Sequence, residues 1–208
     1  MVTPKRAISR SVRRQAGRPP QGQFDARTAL LQAATKEFAQ NGYAATNNRD
    51  ILKAAGVSTP TMYHYFANKA DLYITVVRDG VSELLDRMRK AGADNCATLA
   101  ENFDAVLAGI NQVYRTQPHL VDLLLDVEAA VRTHPELDSL ATVASPLMDF
   151  WHSLGGRRVG DAEVLALRGV VEGYIRLGRV SPDLADYDRA QQVFRTIVLD
   201  GLTRLPPT

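Results

Sequence analysis

The chain has 208 residues, 45% of them hydrophobic and 23% charged, usage that supports a buried core and excludes wholesale disorder. No apolar run reaches the ~18–20 residues of a membrane span: even Leu123-Leu124-Leu125 is bracketed by Asp122 and Asp126. The single cysteine, Cys96, excludes an internal disulfide and a cysteine-based metal site and reads as inert.

The basic N-terminus lacks a following apolar segment of secretory type, so a cytoplasmic location is expected. The net charge of +2 conceals an asymmetry. Residues 1–75 hold 11 Lys and Arg against 4 Asp and Glu, and the remainder holds 14 against 19, so the first third is +7 and the rest −5. Such a split predicts that one end meets a polyanion, because phosphate binding is driven by charge neutralisation and counterion release. Residues 1–24 carry Lys5, Arg6, Arg10, Arg13, Arg14 and Arg18 and no acid. They read as a basic disordered arm, either laying an arginine in a narrow minor groove or serving as a solubilising tail.

From Asp25 to Gly42 the positions Ala26, Ala29, Leu30, Ala33, Ala34 and Phe38 recur at helical spacing, with Asp25 as cap and Asn41-Gly42 as stop. A short helix follows from Asn47 to about Ala55, with Asn47 capping and Asp50 returning a bond. Gly56 turns the chain and Val57 plugs the angle. A third helix begins at Ser58 or Thr59 and ends at Phe66, with Met62 and Phe66 in the core. Asn68-Lys69-Ala70-Asp71 opens a fourth helix of about five turns, through Met88. After a break at Ala91–Asp94, helices are expected over Ala97–Thr116, Leu120–Thr133, Pro135–Leu154, Asp161–Gly178 and Asp186–Leu205. Gly155-Gly156 and a loop with Ser181-Pro182 separate the last three. There is no β-alternation and no solenoid repeat, so the architecture is all-α, about nine helices.

Catalytic constellations are missing from the sequence. His64, His119, His134 and His152 form no i,i+4 pair, and there is no phosphate loop and no nucleophile elbow. The expectation is a protein that is not an enzyme and carries no metal or other cofactor. The segment Thr46–Lys69 is different. A capped helix, a one-glycine turn and a second short helix crowded with Thr59, Thr61, Tyr63, His64 and Tyr65 is how a helix-turn-helix offers hydrogen-bonding groups to a duplex. Lys69 stands at a helix N-terminus, which already favours a phosphate.

Phe38-Ala39-Gln40-Asn41-Gly42-Tyr43, Arg49-Asp50-Ile51, Ala54-Ala55-Gly56-Val57-Ser58, Tyr63-His64-Tyr65-Phe66 and Asn68-Lys69-Ala70-Asp71-Leu72 together resemble the N-terminal domain of the tetracycline-repressor (TetR) family, over about residues 25–75. Leu52 stands where that family usually has alanine, and Asn48 where it often has an apolar residue. After the basic arm at 1–24, the resemblance implies a helix-turn-helix DNA-binding domain at 25–70 and a helical ligand-binding and dimerisation domain at 71–208. It also implies DNA contacts from Asn48, Arg49, Thr59, Thr61, Tyr63, His64 and Lys69. The expected partners are a double-stranded, near-palindromic operator, a second copy of the chain and a small hydrophobic effector, with no membrane. Together these describe a repressor released from DNA when the effector binds. The alternative is a helical carrier or enzyme for a hydrophobic molecule with a non-specific polyanion-binding tail.

Beyond residue 75 the resemblance extends only to length and helical layout. Small residues at four-residue spacing, Ala166, Gly169 and Gly173, flanked by Val170, predict close helix approach at a twofold interface, continued by Phe194, Ile197, Val198 and Gly201. A ligand pocket between the middle helices is expected from Phe103, Leu107, Ile110, Tyr114, Met148, Trp151 and Tyr174. The polar residues Asn111, Glu128, His152 and Glu172 interrupt otherwise apolar helices.

Overall fold

The computed structural model describes residues 25–93, 98–154, 159–180 and 184–203. The basic arm, Cys96, Gly155-Gly156, Ser181-Pro182 and Leu205 lie outside them. The described residues form nine α-helices and one 3-10 turn with no strand among them.

Helix α1 (Ala26–Ala45) starts where the Asp25 carboxylate accepts the Arg27 N–H at 3.1 Å. Leu30, Ala34 and Phe38, one turn apart, are fully buried. At Gly42 (φ 74) the helix kinks and then runs one further turn. The Thr46 hydroxyl seals the kink by donating to the carbonyls of Glu37 and Gly42 at 3.0 and 2.8 Å.

Helix α2 (Asn48–Ala55) is capped by Asn47, whose side-chain oxygen accepts the Asp50 N–H at 3.0 Å. The Asp50 carboxylate is met by the Asn47 side-chain amide rather than by its backbone N–H, since a reciprocal backbone bond suits the longer Glu or Gln. Gly56 adopts the left-handed conformation (φ 66, ψ 31), which costs little only for a residue without Cβ. That geometry lets Val57 N–H reach Leu52 O at 3.1 Å and sets the angle of α3 (Thr59–Tyr65). As expected, Met62 and Phe66 are buried.

Helix α4 (Lys69–Lys90) is the spine, packing against α1, α5 (Leu99–Thr116), α6 (Pro118–Thr133) and α7 (Leu140–His152). Its closest neighbour is α5: a Cβ added at Gly109 would stand 2.6 Å from Met88 Cα, so the two backbones touch. Pro118 both follows α5 and opens α6.

The single helix expected over Pro135–Leu154 is instead a 3-10 turn, Pro135–Leu137, followed by α7. The i→i+3 bonds Leu137 N to His134 O and Asp138 N to Pro135 O (2.9 and 3.1 Å) tighten the chain. A three-residue period stacks i and i+3, and Leu137 and Leu140 both enter the core.

Helices α8 (Asp161–Val180) and α9 (Leu184–Thr203) pair with each other, and α9 also lies on α5. Arg195 with Asp104, Arg115 with Asp188 (2.7 Å) and Asn111 with Gln191 (3.2 Å) bind α9 to α5.

Candidate nucleic-acid interface and effector pocket

Helices α2 and α3 enclose an open cleft of about 530 Å³. Asn48, Arg49, Thr59 and Tyr63, all expected at the interface, line it together with Lys53 and Leu52. Lys53 was not singled out from the sequence, though its place in the last turn before Gly56 puts it on the same rim. Thr61 and His64 lie outside this lining. The Thr61 hydroxyl is 2.8 Å from Ser58 Oγ, and His64 is exposed with its ring edge-on to Tyr65, 4.9 Å between centroids. Tyr63 and Tyr65 are 53% and 41% exposed, a conspicuous placement for two aromatic residues on a seven-residue helix. The Asn48 Oδ1 atom is buried without a hydrogen-bond partner, while half-buried Leu52 packs against the core.

Lys69 stands at the N-terminus of α4, as expected. Its ammonium turns inward and donates to the carbonyls of Tyr43 and Thr46 at 2.9 and 3.0 Å, with Ala44 O at 3.4 Å, and lies over the Tyr43 ring. Burial pushes its pKa down, and Glu136 opposes that shift. The Tyr43 hydroxyl donates to Glu136 at 3.2 Å, and its ring meets His134 edge-on. Burial, reinforced by Glu136, raises the Tyr43 pKa to about 12. This cluster joins the end of α1, the start of α4 and the 3-10 turn after α6, a connection that no local pattern in the sequence signals.

A cavity of about 100 Å³ lies among α4, α5, α6, α7 and α8. Of the expected ligand residues, Ile110 and Trp151 line it. Phe103, Leu107, Tyr114, Met148 and Tyr174 do not. Phe103 and Leu107 are buried in the core, and Tyr174 packs on Phe194 with centroids 5.7 Å apart. Met148 meets Arg168 through its sulfur. The walls come from Leu124, Leu125, Leu147, Val171 and Ile175, and Glu128, Arg168 and Glu172 supply the charge. The sequence marked Glu128 and Glu172; Arg168, Val171, Glu172 and Ile175 share one face of α8 at three- and four-residue spacing. His152 is engaged elsewhere, its Nδ1 2.9 Å from Val159 O.

Also on α8 and α9, Leu165, Val193 and Ile197 are exposed by 69%, 54% and 67%. Ala166, Gly169 and Gly201 are exposed beside them, and Val170, Gly173, Phe194 and Val198 are half-buried. A Cβ at Gly169 or Gly201 would meet nothing within the chain.

Residues 30–76 match the family model described as bacterial regulatory proteins, tetR family. The transcriptional repressor KstR2 of Rhodococcus jostii is 36% identical over 81 residues, 38% of this chain and 40% of that protein. KstR2 of Mycobacterium tuberculosis is 26% identical over 175 residues, 84% of this chain and 78% of that protein. The first curated relatives are matched over less than half of their own length. In fold, the chain resembles the Bacillus subtilis regulator FadR crystallised with stearoyl-CoA, with a TM-score of 0.63 at 17% identity, covering 84% of this chain and 98% of that one. The N-terminal helix-turn-helix thus matches that of the tetR family of bacterial regulatory proteins, and the all-helical body shares the fold of FadR.

Proposed function

We propose that the protein is a transcriptional regulator of the cytoplasm that binds a near-palindromic DNA operator as a homodimer and releases it when a small hydrophobic molecule enters the cavity among α4–α8. The observation that carries this reading is the α2–α3 cleft, where Asn48, Arg49, Lys53, Thr59 and Tyr63 converge on one solvent-facing surface. In this reading Thr59, Thr61, Tyr63 and His64 approach base edges and sugar, and Arg49 and Lys53 neutralise phosphates. Residues 25–70 form the reading unit, and the arm at 1–24 adds phosphate contacts. Relatives described as repressors support repression, while FasR of Mycolicibacterium smegmatis is described as an activator.

The exposed Leu165, Ile197 and Gly169 surface supports pairing of α8 and α9 with a second copy, since an apolar face of this kind is favourable only when covered. Ligand entry spreads α4 from α6 and α7. The Tyr43–Glu136 contact carries that displacement to the end of α1, and the ligand favours the state that fits DNA less well.

The test is retention of sheared genomic DNA from the source organism by the purified protein at near-physiological salt. The expected result is enrichment of a few fragments lying upstream of transcription units. Retention without preference among fragments would overturn the reading.

A further inference from the structure

The cavity among α4–α8 has a charge pattern that selects its ligand, and the inference drawn from it rests on the reading of this cavity as the effector site. Three charged residues line it: Glu128, Arg168 and Glu172. Arg168 is already committed, its guanidinium paired with the Glu128 carboxylate and its Nη1 3.7 Å from Met148 Sδ. Glu172 lies one turn from Arg168 and one turn from Arg176 on the same helix, yet neither bonds to it. Among the described residues it carries no hydrogen bond or ion pair. The cavity therefore presents an apolar wall of Leu124, Leu147 and Val171, a buried tryptophan, and one carboxylate without a counter-charge.

We propose that the effector is a small amphipathic cation, an apolar group bearing an amine or quaternary ammonium head, whose charge is met by Glu172. An anion would have to break the Arg168–Glu128 pair and then face two carboxylates. A neutral molecule would strip water from Glu172 and return nothing, which is costly. A cation meets a waiting carboxylate and, in Trp151, an aromatic wall that attracts positive charge. A volume of about 100 Å³ accommodates a short alkyl group or a single ring, on the scale of cavities that take up benzene.

Trp151 is the chain's only tryptophan, so its fluorescence reports occupancy of this cavity directly. The full-length protein is titrated at neutral pH with butyltrimethylammonium, butanol and butanoate, which share one chain length and differ in charge. The cation is expected to shift Trp151 emission at a concentration about tenfold or more below butanoate. Glu172→Gln is expected to remove that advantage and to strengthen butanol binding, since no carboxylate is then stripped of water, and an unchanged thermal unfolding midpoint verifies its fold. Glu128→Gln, which frees Arg168, is expected to strengthen butanoate binding.

Tighter binding of butanoate by the unaltered protein, or a cation advantage that survives Glu172→Gln, overturns the charge assignment and leaves the effector-pocket reading standing. No emission change with any of the three probes, in protein that still binds DNA, overturns both.

Discussion

The Lys69 ammonium lies 4.4 Å from the centre of the Tyr43 ring while donating to Tyr43's own carbonyl oxygen at 2.9 Å. The kink at Gly42 leaves the last carbonyls of α1 without helical donors, and a cation from the start of α4 satisfies them. Lys69 thus fastens the reading unit's first helix to the spine. Lys69→Met is expected to lower stability by about 1–3 kcal/mol, read by thermal or urea unfolding. A phosphate contact by Lys69 would also lower the salt slope of DNA binding by about one. The inward ammonium predicts an unchanged slope.

The buried tyrosines predict alkaline sensitivity. Tyr43, Tyr73 and Tyr174 are each raised to about 12, in every case chiefly by burial. A phenol whose folded pKa exceeds its unfolded value near 10 stabilises the fold fully below pH 10 and loses that contribution as pH rises towards 12. Stability should therefore fall steeply between pH 10 and 12. Tyr73→Phe should make that fall shallower by about 1.4 kcal/mol per pH unit. An unaltered slope in urea unfolding across this range would remove Tyr73 from the account.

Two glycine substitutions separate packing within the chain from packing between chains. Gly109→Ala drives a methyl group into the backbone of α4 at Met88 and should destabilise by about 1–3 kcal/mol. Gly169→Ala meets open space within the chain, and its helix propensity should stabilise an isolated subunit by up to about 1 kcal/mol. If α8 packs closely on a second copy, the same methyl group should weaken association. Analytical ultracentrifugation would show a raised dimer dissociation constant.

Ile197→Glu tests that face more severely. The side chain is 67% exposed in the single chain, so folding should change by less than about 0.5 kcal/mol. A charge buried at a twofold interface faces its own copy, and the protein should run as a monomer in size-exclusion chromatography. An intact dimer would place the interface elsewhere.

Much of this architecture is written in local signals. The caps at Asp25, Asn47, Ser58 and Asn68 all form, because a side-chain oxygen two or three residues from a free N–H is a contact within one turn. The cleft residues Asn48, Arg49, Thr59 and Tyr63 were legible for the same reason, lying within sixteen residues of one another. The cavity among α4–α8 was not, since five helices build it and apolar spacing cannot tell which side of a buried helix faces a void. Ile110 and Phe103 both lie on the buried face of α5, and only Ile110 reaches the cavity. The Tyr43–Glu136 bond spans 93 residues, a pairing that only the folded arrangement of α1 against α6 creates.

Within the cleft, Arg49→Ala and Lys53→Ala should each weaken binding to all duplexes and lower the salt slope by about one. Tyr63→Ala should cost about 1–3 kcal/mol on the preferred duplex and less on others, measured by fluorescence anisotropy across a salt series.

The central claim is that α2 and α3 read a defined duplex from a twofold assembly. Selection of duplexes from a random pool by the purified protein at near-physiological salt, followed by sequencing, tests it most directly. An enriched inverted repeat whose half-sites are separated by a fixed spacing is expected, and it should be lost in Tyr63→Ala. Enrichment of no sequence, with binding that vanishes as salt rises, would contradict it and leave the basic third of the chain a non-specific polyanion surface.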